Sequence, residues 1–485
     1  MKSPDVFDIV IVGGGIAGMV AACRATELGF KTLLLEKGPM VDYPCNTRFA
    51  GGTYHLSLRD LMAPTQSLID TMLKASDGFI SPAHAQSLAQ GAPRLIEWLQ
   101  AAGMRFVKVS ESEHHRWAMA PQGRTRPGLA WKGLAGDVML QTLGETFKRQ
   151  GGTMVYGARA RSLVMEDKRC QGVQADVLQS SGAHARQTFH AHNVFIADGG
   201  FQSNLEMLAR YVSPRPEHLL QRGGATGHGD GLQMAMQVGA SVKGMASFYG
   251  HTLSKDALQI PSLWPYPYLD SLVTAGVVIN ANAERFVDEG RGGVYVANQI
   301  AKLPEPLSTC VVFDDLIWNL EGRHGLIPPN PHVPGEGGTV HQGNSVEELA
   351  LACQVPLHTL QKTIANHNQQ ITDNAWHGSV SPSRGESKHR PKPIVKAPFY
   401  AIPMCVGITY TMGGISVNIH SQALREDQSV IEGLFALGAS GGGFEGGPQV
   451  AYVGGLVKGG VNALNAVEFV HSKARIQNQT IGELP

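Results

Sequence analysis

The chain has 485 residues, of which 43% are apolar and 16% charged, a composition typical of a globular protein with a large interior. Lysine plus arginine and aspartate plus glutamate number 40 each, so no general basic surface is expected, and nucleic acid and anionic membranes are not expected partners. This length exceeds one ordinary hydrophobic core and predicts two domains.

The first predicted elements form a βαβ unit. Residues 7–12 read as a buried strand because β-branched residues predominate. A glycine turn follows, then a helix that ends at Gly29, and then a strand with the sequence KTLLLEK. This order predicts two parallel strands joined by a right-handed crossover.

Neither a signal peptide nor a membrane span is predicted. The opening apolar segment imitates the core of a signal peptide, but three consecutive glycines and an acidic flank argue against that interpretation. No run of 18 or more apolar residues exists, so we expect no membrane span and a cytoplasmic protein. The six cysteines lie far apart without a C-x-x-C pair, which favours free thiols in a reducing compartment and predicts no metal site.

The later segments predict an inserted domain. Periodicity and glycine stops indicate helices over 92–103, 136–152 and 228–240, and a buried strand within 191–204. Between about 245 and 397 the content of Pro, Trp and Tyr rises. We therefore predict an α/β fold, a Rossmann-type domain with an inserted α+β domain. The predicted limits are 1–244 and 398–485 for the Rossmann-type domain and 245–397 for the inserted domain, which the cofactor and the resemblance given below identify as an FAD-binding domain and a capping domain.

The glycine pattern predicts the cofactor. Gly13-x-Gly15-x-x-Gly18 follows a strand and opens a helix, as a dinucleotide fingerprint requires, and Glu36 ends the next strand where a carboxylate would bind ribose hydroxyls. A βαβ unit without ligand is the alternative. Further glycine loops in the middle and near the end of the chain favour the long, buried FAD over NAD. The predicted contacts are Gly13, Gly15, Ile16, Ala17, Gly18, Glu36, Lys37, Arg48, Gly51, Gly52, Ala197, Gly199, Gly438 and Ala439.

Several motifs together resemble one superfamily. VFIADGGF, GATGHGDGLQMAMQVGA, NAERFVDEGRGG, TMGGISVN and GLFALGAS occur in the order known from flavoproteins of the fumarate reductase and 3-ketosteroid dehydrogenase superfamily. Tricarballylate dehydrogenase-like members look closest, because they share NTR…GG near residue 50. The resemblance implies FAD bound by both ends of the chain, a mobile capping domain, and hydride exchange between substrate carbon and flavin N5.

The resemblance also implies candidate catalytic residues, with departures. Arg291 matches the arginine that delivers a proton, although a salt bridge to Asp288 or Glu289 is the alternative. Tyr410 replaces a histidine that holds a substrate carboxylate. The stretch PQVAYVGG lacks the clamping arginine, and of a Thr-Glu pair only Thr274 survives. Fumarate is therefore not the favoured substrate, because a bidentate arginine contact has no neutral equivalent.

The remaining candidates are similar to the ketosteroid dehydrogenase part of the superfamily. Tyr452 matches the tyrosine near the flavin, and Gly454 and Gly455 would offer backbone donors to a developing enolate. Tyr410 either hydrogen-bonds a substrate oxygen, serves as base with environmental help, or packs in the core. His251 either binds a carboxylate or carbonyl oxygen or is structural.

Two further groups are candidates for substrate binding. Tyr268, in the aromatic segment SLWPYPYLD, lines a pocket for a ring or belongs to the core. Arg126, with Arg116 and Arg124, supplies a carboxylate anchor or forms a solvated basic face.

The predicted function is an FAD-dependent dehydrogenase, a desaturase that removes an α-proton and a β-hydride from a carbonyl-activated CH–CH bond. The expected substrate is a small cyclic keto acid or ketone, such as 4-oxocyclohexanecarboxylate or a 3-ketosteroid, and the electron acceptor is unidentified. The alternatives are a fumarate reductase-like enzyme or a dehydrogenase of a carboxylic acid such as tricarballylate, and an electron-transfer flavoprotein subunit without its own substrate. FAD is expected to be non-covalent, with His55 as the histidine that would permit a covalent bond.

Overall fold

The computed structural model describes residues 6–122, 131–373, 384 and 390–482. The strands are, in chain order, β1 (Val6–Val12), β2 (Thr32–Glu36), β3 (Phe106–Val107), β4 (Ala118–Met119), β5 (Thr153–Tyr156), β6 (Ala158–Glu166), β7 (Arg169–Leu178), β8 (His184–Ile196), β9 (Leu219–Gln221), β10 (Val242–Lys243), β11 (Phe248–Ser254), β12 (Val277–Ile279), β13 (Cys310–Asp314), β14 (His341–Gly343), β15 (Phe399–Thr411), β16 (Gly414–Ser416), β17 (Gln422–Leu424), β18 (Val430–Ala436) and β19 (Gly441–Gly442). The helices are α1 (Ile16–Glu27), α2 (Asn46–Phe49), α3 (Thr65–Ser76), α4 (Pro82–Ala101), α5 (Ala135–Arg149), α6 (Leu205–Tyr211), α7 (Asp230–Gln237), α8 (Asp270–Ala275), α9 (Gly293–Ala301), α10 (Asp315–Leu320), α11 (Pro329–Gly335), α12 (Val346–Cys353), α13 (Leu357–Thr372) and α14 (Gly455–Gly482).

The largest sheet brings both ends of the chain together. Its strands run in the order β17-β18-β8-β1-β2-β5, and β7 pairs with β6 and β8. β1 is parallel to β2 and to β8, and β8 is parallel to β18, so the carboxyl ends of these four strands meet at one edge. In an open parallel sheet this edge is where ligands bind.

The predicted βαβ unit is confirmed. β1 pairs with β2 from Ile9 opposite Thr32 to Val12 opposite Leu35, and α1 connects them. Continuous burial of both strands explains their unbroken apolar sequence. α1 packs against α14, so the N- and C-terminal segments share one core.

The predicted helix over 92–103 is the second half of a longer one. α4 begins at Pro82, where the Ser81 side chain accepts a hydrogen bond from the backbone N–H of His84. Pro93 lies inside the helix, and a proline normally marks a helix start. The proline and the apolar pattern together therefore placed the start of this helix about ten residues too late.

A second sheet forms the other wall of the molecule. Its order is β11-β15-β13-β12, and β9 and β14 also pair with β15. β11 and β15 are antiparallel, with Tyr249 opposite Tyr410 and Gly250 opposite Ile408. Thr409 is therefore an extra residue of β15, a β-bulge. The limits 1–244, 245–397 and 398–485 stay a prediction, and this sheet combines strands from all three ranges.

Two general features concern the cysteines and the helices. Cys23, Cys45, Cys170, Cys310, Cys353 and Cys405 are free thiols. In the described part of the chain, no helix combines the length and apolar character needed to cross a bilayer.

Candidate active site

The first βα turn forms one end of a large cavity. Gly13 has φ of +102°, and a side chain there would collide with the Ala197 carbonyl group, so the turn requires glycine. Gly18 contacts the Gly13 carbonyl group with no room for a Cβ atom, which lets α1 approach β1 closely. Gly15 caps α1 without a side-chain hydrogen bond, and the first turn of α1 carries no acidic residue. A helix N-terminus of this kind suits a phosphate group.

Glu36 joins two glycine loops at the same end. Its carboxylate accepts hydrogen bonds from the N–H of Gly14 at 2.8 Å and from the N–H of Gly38 at 2.7 Å. Burial raises the pKa of Glu36, and these two N–H groups act in the opposite direction. A carboxylate has about four acceptor positions. Glu36 can therefore hold the loops and still accept hydrogen bonds from a ribose.

The cavity has a volume of about 1340 Å³. Loops that follow β1, β2, β8 and β18 line it. The predicted cofactor residues on its wall are Gly13, Gly15, Ile16, Ala17, Glu36, Lys37, Gly51, Gly52, Ala197, Gly199, Gly438 and Ala439. A helix N-terminus without acidic residues, a buried carboxylate and further glycine-rich loops fit a long dinucleotide such as FAD.

Gly18 and Arg48 do not line the cavity. Gly18 has the packing role described above. Arg48 is buried and forms an ion pair with Asp137, and its guanidinium lies over the rings of Tyr43 and Trp131 at 4.9 and 5.0 Å. The Arg48 side chain lies in the core beside α5 and not on the cavity wall, so a cofactor contact by Arg48 stays a prediction.

Aromatic side chains on and beside the second sheet form the other end of the cavity. Tyr249 and Tyr452 stack with ring centroids 4.0 Å apart, and Tyr249 lies 5.6 Å from Tyr410. Tyr268 stacks on His251 at 3.9 Å with nearly parallel rings. All five line the cavity. The pairing of β11 with β15 brings Tyr249, His251 and Tyr410 to one wall, and Tyr268 and Tyr452 pack against them.

Asp270, His251 and Tyr249 form a hydrogen-bonded chain. His251 Nδ1 lies 2.6 Å from Asp270 Oδ2, and His251 Nε2 lies 3.1 Å from the Tyr249 hydroxyl. Asp270 also accepts hydrogen bonds from the N–H and the hydroxyl of Thr252. Since the carboxylate only accepts, Nδ1 carries the proton of a neutral His251, and the Tyr249 hydroxyl donates to Nε2.

The pKa shifts of Asp270, His251 and Tyr249 fit that assignment of protons. Burial lowers the pKa of His251, so the ring is neutral near pH 7. Burial alone would raise the pKa of Asp270, but His251 and Thr252 outweigh it and lower that pKa. Burial raises the pKa of Tyr249 well above its ordinary value. Tyr249 therefore keeps its proton until His251 accepts it.

Tyr410 has a different environment. Its hydroxyl donates to Glu445, 3.0 Å from both carboxylate oxygens, and Glu445 forms a fully buried ion pair with Lys458. Burial raises the pKa of Tyr410 well above its ordinary value, and the Glu445 carboxylate raises it further. The negative charge of Glu445 disfavours a tyrosinate, so it opposes the predicted role of Tyr410 as a base. The hydrogen bond to Glu445 also opposes donation to a substrate oxygen, because it already uses the Tyr410 proton.

Tyr452 and the glycines that follow it lie at the start of α14. Burial raises the pKa of Tyr452, and Glu445 adds to the effect. Gly455 is the first residue of α14 and lines the cavity, so its N–H points from a helix N-terminus. Gly454 does not line the cavity, and its φ of +136° and the nearby His55 carbonyl group leave room only for glycine. Of the two predicted backbone donors, Gly455 remains the candidate.

Arg291 and Thr274 also line the cavity. Arg291 Nε lies 3.2 Å from Asp288, and its guanidinium lies 4.9 Å from the Tyr295 ring. The predicted salt bridge and the position at the cavity therefore occur together. The Thr274 hydroxyl donates to the Asp270 carbonyl group within α8 at 2.9 Å, so it offers a substrate only its lone pairs.

The loop with Arg126 gives little evidence for an anchor. Arg126 and Arg124 lie outside the described residues. Arg116 is half exposed and forms an ion pair with Asp60 at 2.9 Å. A surface pair of this kind does not define a substrate site.

The sequence analysis missed several residues of the site. Tyr249 was passed over within YGHT, Asp270 ends the aromatic segment, and Arg222 lies in LLQRGG without a recognisable spacing. Arg222 is buried and lines the cavity. A signal existed for Tyr249, because i and i+2 on a strand share a face, and His251 was already a candidate.

Comparisons with known proteins identify the family of the chain. A family model described as FAD binding domain matches residues 8–451. A probable fumarate reductase of Shewanella frigidimarina is 24% identical over 451 residues, which cover 90% of this chain and 70% of that protein. A vinyl phenol reductase of Lactiplantibacillus plantarum is 24% identical over 516 residues, which cover 98% of this chain and 99% of that protein.

A solved structure supports the fold. The 3-ketosteroid delta1-dehydrogenase from Sterolibacterium denitrificans, in complex with 1,4-androstadiene-3,17-dione, matches with a TM-score of 0.72 and 18% identity. The match covers 96% of this chain and all of that one. The fold is thus that of FAD-binding flavoproteins with mixed α/β sheets.

Proposed function

The chain belongs to the FAD binding domain family and is an FAD-dependent oxidoreductase acting on CH–CH bonds, and on this premise we propose that it desaturates a carbonyl-activated substrate. The observation that carries the proposal is the Asp270–His251–Tyr249 chain, which lies on the same cavity as the glycine turns. One cavity thus offers the glycine turns for the cofactor and the acid–base groups for a small molecule, which supports the proposal. The proposed substrate is a cyclic ketone or keto acid.

Tyr249 is the proposed proton carrier. As the α-carbon loses its proton to the Tyr249 oxygen, the Tyr249 proton passes to His251 Nε2, and Asp270 stabilises the resulting imidazolium. The Tyr452 hydroxyl and the Gly455 N–H hold the carbonyl oxygen, where negative charge develops. FAD, when bound, supplies the acceptor for the hydride that leaves the β-carbon. Arg291 stays the alternative proton carrier.

The remaining parts of the proposal concern cofactor and architecture. FAD is held without a covalent bond by the glycine turns and Glu36, and the segment 245–397 acts as a capping domain. His55 lines the cavity but its Nδ1 accepts the Leu58 N–H at 3.2 Å. Flavin fluorescence in the supernatant of acid-precipitated protein tests the attachment. A cytoplasmic location belongs to the same proposal.

The test is anaerobic titration of the purified holoenzyme with 4-oxocyclohexanecarboxylate, a 3-ketosteroid, tricarballylate and succinate. Bleaching of the oxidised flavin band by a ketone supports the proposal. Bleaching by tricarballylate or succinate alone would contradict the ketone and favour an acid dehydrogenase. Bleaching without any partner protein also distinguishes an enzyme from an electron-transfer subunit.

The opposite direction is the second candidate. It is favoured by the named reductases among the relatives and by Arg291, a cation beside Asp288 on the cavity wall. If no compound bleaches the flavin, but an enoate reoxidises chemically reduced enzyme, the enzyme is a reductase. The same acid–base groups then act in reverse.

A further inference from the structure

Arg222 is a buried cation at the aromatic end of the cavity, and no carboxylate of the described residues lies within ion-pair distance of it. Its side chain donates to the Thr409 hydroxyl at 2.8 Å, the Tyr268 hydroxyl at 2.6 Å and the Pro265 carbonyl group at 3.3 Å. These acceptors are neutral, and they occupy three of the five N–H donors of a guanidinium. The residue is 6% exposed and lines the cavity.

Other buried cations of this chain have acidic partners. Within the described residues these ion pairs are Arg48 with Asp137, Lys458 with Glu445, and Arg384 with Glu289. Burial of a charge without a counter-ion is unfavourable. The fold therefore neutralises its buried cations elsewhere and leaves Arg222 positive at the substrate end.

Aromatic rings hold the guanidinium in place. It lies 4.6 Å from the Tyr268 ring and 5.7 Å from the Tyr266 ring, which gives cation–π stabilisation without neutralising the charge. Tyr268 in turn stacks on His251. Arg222 is thus fixed relative to His251, with the Tyr268 ring between them.

We propose that Arg222 binds the carboxylate of an organic acid, so that the substrate is an anion and not a neutral ketone. The inference rests on the proposed function for the identity of the reacting bond but not for the binding of the anion. In this proposal Arg222 takes the place of the carboxylate-clamping arginine that is missing from the segment PQVAYVGG. The paired Arg116 and Arg291 are poorer anchors, because Asp60 and Asp288 already neutralise them.

The test is calorimetric titration of the oxidised holoenzyme with cyclohexanecarboxylate and with its neutral amide, cyclohexanecarboxamide. The wild type should bind the carboxylate more tightly than the amide. Arg222→Gln should weaken carboxylate binding roughly 30-fold or more and change amide binding less than about threefold, because only the anion loses a charged partner. Arg222→Lys should show a smaller loss of carboxylate affinity, since lysine keeps the positive charge but lacks the planar guanidinium that can bind a carboxylate with two hydrogen bonds.

Two controls keep the test decisive. Arg186→Gln removes a surface cation paired with Asp176 and should leave both affinities unchanged. Flavin content and amide affinity show whether Arg222→Gln folds. If Arg222→Gln does not fold, the same titrations are made with Arg222→Lys. Equal binding of acid and amide by the wild type, equal losses for both ligands, or a loss with Arg116→Gln instead would overturn the proposal. Flavin reduction is not part of this readout, so failure of the desaturase proposal is seen separately.

Discussion

Replacement of Tyr249 by phenylalanine should abolish most of the turnover and leave the cofactor bound. The change removes only the hydroxyl that lies 3.1 Å from His251 Nε2, so the proton path to Asp270 is cut while the ring still stacks on Tyr452. A positioned acid–base group contributes roughly 10²–10⁴-fold, which corresponds to about 3–5 kcal/mol in the activation free energy. The rate of flavin bleaching should fall by that factor.

Tyr410→Phe is the matched control, because Tyr410 is the cross-strand partner of Tyr249 and loses the same atom. Its hydroxyl donates to Glu445, so Tyr410→Phe should lower the free energy of unfolding by roughly 1–3 kcal/mol. Flavin bleaching should be slowed far less than in Tyr249→Phe. The assay is anaerobic stopped-flow mixing with whichever compound of the panel reduces the flavin, and with its α-deuterated form. A Tyr249→Phe rate within threefold of wild type, or a larger loss in Tyr410→Phe, would refute the proton path.

Three further predictions concern cofactor, core and pH. Glu36→Gln should weaken FAD binding roughly 10–100-fold, measured as flavin retained after gel filtration, because a charged acceptor is lost. Lys458→Met should lower the free energy of unfolding by roughly 3–5 kcal/mol in urea, because it leaves Glu445 buried without its cation. His367 has its pKa lowered by burial to about 4, so the unfolded chain binds the proton first as pH falls below about 6.5. Wild type should therefore lose about 2 kcal/mol between pH 7.5 and 5 through this residue, and His367→Gln should lack that loss.

Each of these has a matched comparison. Glu97 is a carboxylate on α4, and Glu97→Gln should retain flavin fully; equal retention in Glu36→Gln would contradict the ribose role. The double variant of Lys458→Met with Glu445→Gln should recover part of the stability, and no recovery would argue against an unpaired charge as the cause. Parallel stability–pH curves for wild type and His367→Gln would show that burial of His367 does not govern its protonation.

The cofactor end was predictable because its requirements are local. Gly13, Gly15 and Gly18 are set by a tight turn and a close helix–strand contact, and both leave a mark in consecutive residues. Glu36 follows from the same unit. Arg48 was assigned to the cofactor from a family pattern, whereas the ion pair that holds it in the core involves Asp137, which is distant in sequence.

The substrate end was less predictable because its chemistry depends on partners. Tyr410 was a reasonable base candidate by position, but Glu445, inside a glycine run, determines what its hydroxyl can do. Tyr249 and Asp270 gain significance only through His251, which the pairing of β11 and the start of α8 bring between them. Arg222 belongs to no motif that a sequence pattern could identify. Its proposed role depends on the lack of a nearby carboxylate among the described residues, which only the structure shows.

The bulge in β15 has a consequence for how such an enzyme changes during evolution. Because Thr409 has no partner in β11, its carbonyl group is free to accept a hydrogen bond from Asn46, at the start of α2, and its hydroxyl accepts one from Arg222. A single residue therefore supports both a cofactor-side loop and the buried Arg222 side chain. Substitution or deletion at Thr409 would disturb both at once, so changes of cofactor binding and of the substrate end are coupled at the bulge.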